Sequence, residues 1–382
     1  MLVSISPTTQ LDDMLDRVGA KLQLSPSAHE LAVKRYKTVA DVLCAEGSPL
    51  AKYKPNVYPQ GSLRIGTTVK LRGCKEFDLD FVCEFQADPS VFPDPIKLLD
   101  MIEKWLLANG TYRGMIKRKN RCIRITYANE FYMDILPACP SPSTCLHGDH
   151  CVVVPDCAAD DWKPSNPKGY ALWYENRAKE AFVRFMKSIE SVPEQQAYED
   201  LATLNRVVQL MKRHRDIAFE EAPKGRAPIS IVLTTLAAQS YSGHTSVSEA
   251  MSGILDGIVR MIPDVAQGGR LKVTNPTNPD EDFSERWDGD PEAYLAFVSW
   301  IRDFKTKWEE LKRQTGIPNV KAKLEQMFGE RVAKEVVEEH VKSYDMARQS
   351  GGLGVERGTG LIVPATTASA TAIPHNTFYG DE

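Results

Sequence analysis

Between Phe77 and Phe85 the chain reads Phe-Asp-Leu-Asp-Phe-Val-Cys-Glu-Phe, and no other stretch restricts the fold so strongly. In a strand successive side chains alternate between faces. Asp78 and Asp80 then project together while Leu79 and Phe81 enter a core. Two carboxylates on one face repel each other unless a cation lies between them. A hard divalent ion, Mg²⁺ or alternatively Mn²⁺, prefers oxygen ligands and supplies that charge. Asp134, flanked by Met133 and Ile135 in a second apolar segment, completes a three-carboxylate nest. Such nests suit chemistry with two metal ions, one activating a hydroxyl and the other holding a phosphate leaving group. Upstream, Gly61 lets the backbone approach a ligand closely, and Ser62 offers a hydroxyl and an N–H to phosphate oxygens.

Around this centre the pattern is mixed. Ser25-Pro26 and Ser27…Glu30 open a helix whose apolar residues are Leu31, Val33, Tyr36, Val39 and Val42. Val57-Tyr58 leads into the Gly-Ser pair, and 96–107 reads as helix. Segments 122–127 and 131–136 read as paired strands around an Asn129-Glu130 turn. Beyond about residue 170 the spacing is helical: 174–189, 198–218, 229–240, 291–311 and 320–346. The expected architecture is α+β, a sheet domain with a helical C-terminal domain closing its cleft. The expected division is 1–170 (catalytic, with the N-terminal helix), 171–350 (helical) and 351–382, a flexible tail rich in Gly, Thr and Ala.

Composition removes several function classes. The 382 residues carry 47 Lys and Arg against 51 Asp and Glu, a formal charge of -4. A chain whose main task is to coat nucleic acid is usually strongly basic, so nucleic acid is not expected as a partner. The longest mainly apolar stretch, 229–238, is too short for a membrane helix. The N-terminus lacks the basic and apolar segments of a secretory signal. Eight Cys do not make a disulfide scaffold. A cytoplasmic location is expected.

Three segments, Pro59-Gln60-Gly61-Ser62-Leu63-Arg64, Glu76-Phe77-Asp78-Leu79-Asp80-Phe81 and Tyr132-Met133-Asp134-Ile135-Leu136-Pro137, resemble the nucleotidyltransferases of the polymerase β superfamily. Further segments narrow the resemblance to bacterial relatives of cyclic GMP-AMP synthase and oligoadenylate synthase, the cyclic-oligonucleotide synthases of anti-phage operons. These are Pro164-Ser165-Asn166-Pro167-Lys168-Gly169-Tyr170, Pro228-Ile229-Ser230-Ile231-Val232-Leu233 and Val273-Thr274-Asn275-Pro276 with Asp282-Phe283-Ser284 and Trp287.

The resemblance spans about residues 25–345. It implies joining of nucleoside triphosphates, ATP among them, into a cyclic messenger with release of pyrophosphate. Asp78 and Asp80 would bind both metal ions, Asp134 the catalytic one, and Gly61 and Ser62 the triphosphate. It also implies triphosphate contacts from Lys212 and Ser230. By spacing alone, Lys212 is a lysine at the edge of an apolar stripe and Ser230 a helix N-cap. A linear oligoadenylate synthase or a transferase acting on RNA or protein is the alternative enzyme. A catalytically dead scaffold fits the intact Asp set less well.

Two clusters stand outside this set. Arg113, Lys117, Arg118, Lys119, Arg121 and Arg124 form a basic run that suits a solvated strand edge or phosphate attraction. Cys139, Cys145, His147, His150, Cys151 and Cys157 could supply structural zinc, although their spacings match no common zinc pattern. At the end of the chain, Phe378-Tyr379 would suit docking on the chain's own body or recognition by an operon partner protein acting on the tail.

Overall fold

The computed structural model describes residues 7–70, 77–128, 131–141, 150–178, 201–244, 246–264, 269–357, 362–365 and 370–372. Two helices come first, α1 (Pro7–Leu22) and α2 (Pro26–Cys44). A seven-stranded sheet and its helices then follow: β1 (Asn56–Gln60), a single turn α3 (Gly61–Arg64), β2 (Asp78–Glu84), α4 (Ile96–Ala108), β3 (Ile116–Arg118), β4 (Ile123–Tyr127), β5 (Phe131–Pro140), β6 (Val152–Asp156) and β7 (Asp161–Ser165). Strand order is β1-β2-β5-β4-β3, with β6 joined to β5 and β7 to β6. Among the described residues of this sheet, only β2 and β5 pair in parallel.

Leu79, Phe81 and Cys83 from β2 and Met133 and Ile135 from β5 enter one core with Tyr36, Val39 and Leu43 of α2 and Leu98, Leu99 and Ile102 of α4. The predicted alternation on β2 holds, and it leaves the opposite face for Asp78 and Asp80. Ser25 caps α2 by accepting from the Ala28 N–H, as its sequence signal implies.

A second core is helical. It is built from α5 (Pro167–Arg177), α6 (Thr203–Ala218), α7 (Ser230–Ser240), α8 (Val247–Met261), a short hairpin β8 (Thr274–Asn275) and β9 (Asn278–Asp282), α9 (Arg286–Gly289), α10 (Pro291–Arg313), α11 (Ile317–Phe328) and α12 (Glu330–Gln349). The sequence reading held no counterpart of α8, and four further features differ from it. The helix α1 precedes the one expected first, and its Met14, Leu15, Val18 and Leu22 join the helical core and not the sheet's. The helix expected at 174–189 begins earlier, at Pro167 behind the Asn166 cap, and residues 179–200 lie outside the described residues. The span 320–346 is two helices, because Gly329 takes a left-handed φ of 99° and turns the chain.

The fourth difference is in the expected flexible tail. It contains a three-stranded antiparallel sheet, β10 (Leu353–Glu356), β11 (Ile362–Pro364) and β12 (Ala370–Ala372), in the order β11-β10-β12. Ladder hydrogen bonds and burial of Leu353 order a segment whose overall composition is poor in bulky residues. Residues 373–382, with Phe378 and Tyr379, lie outside the described residues.

Candidate active site

Register builds the site. In the parallel β2–β5 pair, Asp80 lies opposite Asp134 and Asp78 opposite Tyr132. On the other side of β5, Arg124 of β4 lies opposite Asp134. All five residues therefore share the sheet face turned away from the Leu79–Phe81 core.

At the end of β1 the chain turns sharply into α3 at Gly61, whose φ is +63°. A Cβ there would stand 2.6 Å from Asp80 Oδ2. Glycine is thus required twice, for the backbone angle and for close approach to the carboxylate. The next residue, Ser62, accepts a hydrogen bond from Thr68 Oγ1 at 3.3 Å. A partly buried ion pair between Arg64 and Glu175 ties α3 to α5.

Charge is concentrated here. Burial, then the charges of Asp78 and Asp134, push the Asp80 carboxyl up to about 8. Burial also raises Asp78, against the lowering effect of Arg124. A buried carboxyl held neutral by its neighbours is one that a cation would ionise. The donor set, three carboxylates on adjacent strands, fits a hard divalent ion. Among the described residues, however, no three such side chains yet stand close enough to hold one ion together. Arg124 occupies Asp134 instead: its Nε donates to Asp134 Oδ1 at 2.7 Å and its Nη2 to Oδ2 at 2.7 Å.

The helical core supplies the other wall. On α6, Asn205 donates to the Ile65 carbonyl at 2.9 Å and Gln209 to the Thr68 carbonyl at 3.0 Å. Lys212 donates from Nζ to both the Thr67 carbonyl and Thr67 Oγ1, each at 2.9 Å. One face of α6 thereby fastens the loop that follows the Gly-Ser turn. Lys212 is not a solvent-seeking lysine at a stripe edge; it is 5% exposed, and burial followed by the Arg215 charge lowers it to about 7.

Ser230 occupies the first position of α7, yet its hydroxyl makes no cap. It accepts instead from Arg215 Nη1 at 2.9 Å. Arg215, one turn beyond Lys212, also exerts its charge on Asp78. The sequence reading missed Arg215 as a site residue. Its signal was the three-residue step from Lys212, which puts both on one helix face.

Three members of the basic run are spent in ion pairs within the chain. Arg118 pairs with Asp100 and Glu103, Arg121 with Asp156 and Glu285, and Arg124 with Asp134. Among the described residues no group of three or more His, Cys, Asp or Glu stands ready to hold a metal ion. Cys139 is buried in the sheet core, Cys157 is exposed, and Cys151 is disulfide-bonded, so its thiolate is withdrawn from metal binding. Cys145 and His147 lie outside the described residues.

Residues 9–177 match the Second Messenger Oligonucleotide or Dinucleotide Synthetase domain. The c-di-GMP synthase of Roseivirga ehrenbergii is 32% identical over 384 residues, spanning all of both chains. The chain belongs to the bacterial cyclic-oligonucleotide synthases. A second relative, the cyclic dinucleotide synthase CdnG of Bradyrhizobium diazoefficiens, is 30% identical over 94% of this chain and 90% of its own. The structure of CdnG in complex with GTP superposes with a TM-score of 0.70 at 28% identity, over 87% of this chain and 98% of that one. An Escherichia coli DncV structure, at 16% identity and a TM-score of 0.57, shares the fold.

The synthase is thus a nucleotidyltransferase that makes a cyclic oligonucleotide second messenger. Its family uses divalent metal ions. No helix among the described residues is long and apolar enough to cross a membrane.

Proposed function

We propose that this synthase joins two GTP molecules into a cyclic dinucleotide, the guanine-only product named for its full-length relative. The observation that carries the site is the in-register Asp80–Asp134 pair with Asp78 beside it, standing against the backbone of Gly61. Full-length similarity to a c-di-GMP synthase and the GTP complex of CdnG support guanine as the base.

In this reading Gly61 and the Ser62 hydroxyl and N–H hold the donor triphosphate. Arg215 and Ser230 bind its outer phosphates, and Lys212 holds the phosphate-binding loop through Thr67. Asp78, Asp80 and Asp134 would hold two Mg²⁺, which supply charge neutralisation and a more acidic attacking hydroxyl when bound. Asp134 takes the proton of the acceptor ribose hydroxyl as its oxygen bonds to the donor α-phosphorus. The bond from that phosphorus to the β-phosphate bridging oxygen breaks, and pyrophosphate leaves. A second, identical transfer closes the ring. Positioning and electrostatics carry most of the catalysis.

Incubation with labelled GTP, ATP, CTP and UTP, singly and mixed, followed by phosphatase, tests the reading. GTP alone is expected to yield a phosphatase-resistant product. A product that is only phosphatase-sensitive, or that needs a second nucleotide, overturns it. In cells the signal belongs to anti-phage defence, with the C-terminal end as the contact for an operon partner. Removing 373–382, which spares β12, is expected to leave synthesis by purified protein unchanged and to impair partner binding.

A further inference from the structure

Arg124 stands where a cation belongs. Its guanidinium takes both oxygens of Asp134, its Nη2 lies 3.5 Å from Asp78 Oδ1, and its Cζ sits 4.7 Å above the Tyr132 ring. It therefore bridges carboxylates from both catalytic strands. A planar fork matched to a carboxylate is the most specific ion pair a protein can build. Here it is built on a residue whose carboxylate must be shared with an ion. Mg²⁺ demands near-ideal octahedral geometry from its oxygens. A carboxylate locked on both oxygens by a guanidinium cannot readily meet that demand. Among the described residues no group of three or more such side chains stands ready to hold one ion while Arg124 holds Asp134.

Arg124 also has somewhere to go. Its side chain is 22% exposed, against 16% for Asp134, so the head group has a route to solvent. The Tyr132 face, two residues from Asp134 on the same side of β5, already stacks with the guanidinium and can keep it after the carboxylate is released. The other cations whose charge reaches these acids, Lys119 and Arg215 on Asp78 and Lys212 on Asp80, make no hydrogen bond to Asp134 among those described.

We propose that Arg124 is a displaceable counter-cation that neutralises Asp134 in the metal-free synthase and yields it when a divalent ion enters. This rests on the assignment of Asp78, Asp80 and Asp134 as metal ligands. Arg124 is then a positioning residue that sets the threshold for metal loading. It stabilises the empty site, weakens divalent-ion affinity, and keeps the three carboxylates apart until the ion assembles them.

The two ideas separate in one experiment on the full chain without nucleotide. Mn²⁺ binding is measured by electron paramagnetic resonance or calorimetry, alongside melting in chelator. Arg124→Gln is expected to bind Mn²⁺ about tenfold more tightly than the parent, the lower end for losing a charge-assisted competitor in a partly solvated site. It should also melt at a lower temperature without metal and gain more from added Mn²⁺. Arg124→Lys, which cannot form the two-pronged pair, should fall between the two. Asp80→Asn and Asp134→Asn should weaken Mn²⁺ binding. If those two bind Mn²⁺ like the parent, the metal assignment fails. If they weaken it but Arg124→Gln binds Mn²⁺ no tighter than the parent, Arg124 is a permanent brace and the proposal is overturned. Should Arg124→Gln not fold, Arg124→Lys decides by the same comparison.

Discussion

The helix that carries Lys212 and Arg215 is anchored from behind by a histidine that cannot afford a proton. His214 is 2% exposed, lies 3.8 Å from the Phe304 ring at an interplanar angle of 8°, and accepts at Nδ1 from Trp300 Nε1 at 3.0 Å. Burial, and secondarily the charge of Lys307, lowers it from 6.5 to about 3. Below pH 6.5 the unfolded chain takes up a proton that the folded chain refuses, so stability is lost as pH falls through that window toward 3. Each pH unit there is worth about 1.4 kcal/mol, so moving from about pH 7.5 to about pH 5 removes roughly 2 kcal/mol at this one residue.

His214→Phe isolates the effect. It keeps a flat ring on Phe304 and leaves the Trp300 N–H unpaired, a cost of about 1–3 kcal/mol that does not depend on pH. Urea unfolding followed by tryptophan fluorescence should show the parent's advantage over the variant shrinking by about 2 kcal/mol between the two pH values. An advantage equal at both would refute the reasoning.

Gly61→Ala should abolish nearly all nucleotide incorporation, because its Cβ would collide with Asp80 Oδ2 at a left-handed φ; parental incorporation would remove the close approach from the argument. In chelator, Asp80→Asn should raise the melting temperature more at pH 8 than at pH 5. The folded carboxyl is raised to about 8, so its penalty grows as pH climbs from 3.8 through that value, and a gain independent of pH would contradict this. Arg215→Gln should weaken GTP binding about 10- to 100-fold with the fold intact. Lys212→Ala should lose stability as well as affinity, since Thr67 loses both of its bonds to Nζ; unchanged melting would assign Lys212 directly to phosphate.

Short-range pattern determined the type and the buried face of α2, β2 and β5. The alternation of β2 was enough to put Asp78 and Asp80 together, and Asp134 between Met133 and Ile135 was enough to mark its outward face. The Gly-Ser turn and the Ser25 cap were legible for the same reason, because such signals act over one or two turns of chain. Tertiary structure alone decided which elements distant in sequence meet. The turn between β4 and β5 announced their pairing, but no local pattern says that β5 also lies beside β2, and that register is what sets Asp80 and Arg124 on either side of Asp134. It also took Lys212 away from the surface to Thr67, gave Ser230 to Arg215 in place of a cap, and drew α1 into the core of helices distant in sequence. The physical reason is the same in each case. Side-chain periodicity records only that a face is apolar, whereas the identity of its partner depends on long-range packing and on charges brought together by folding.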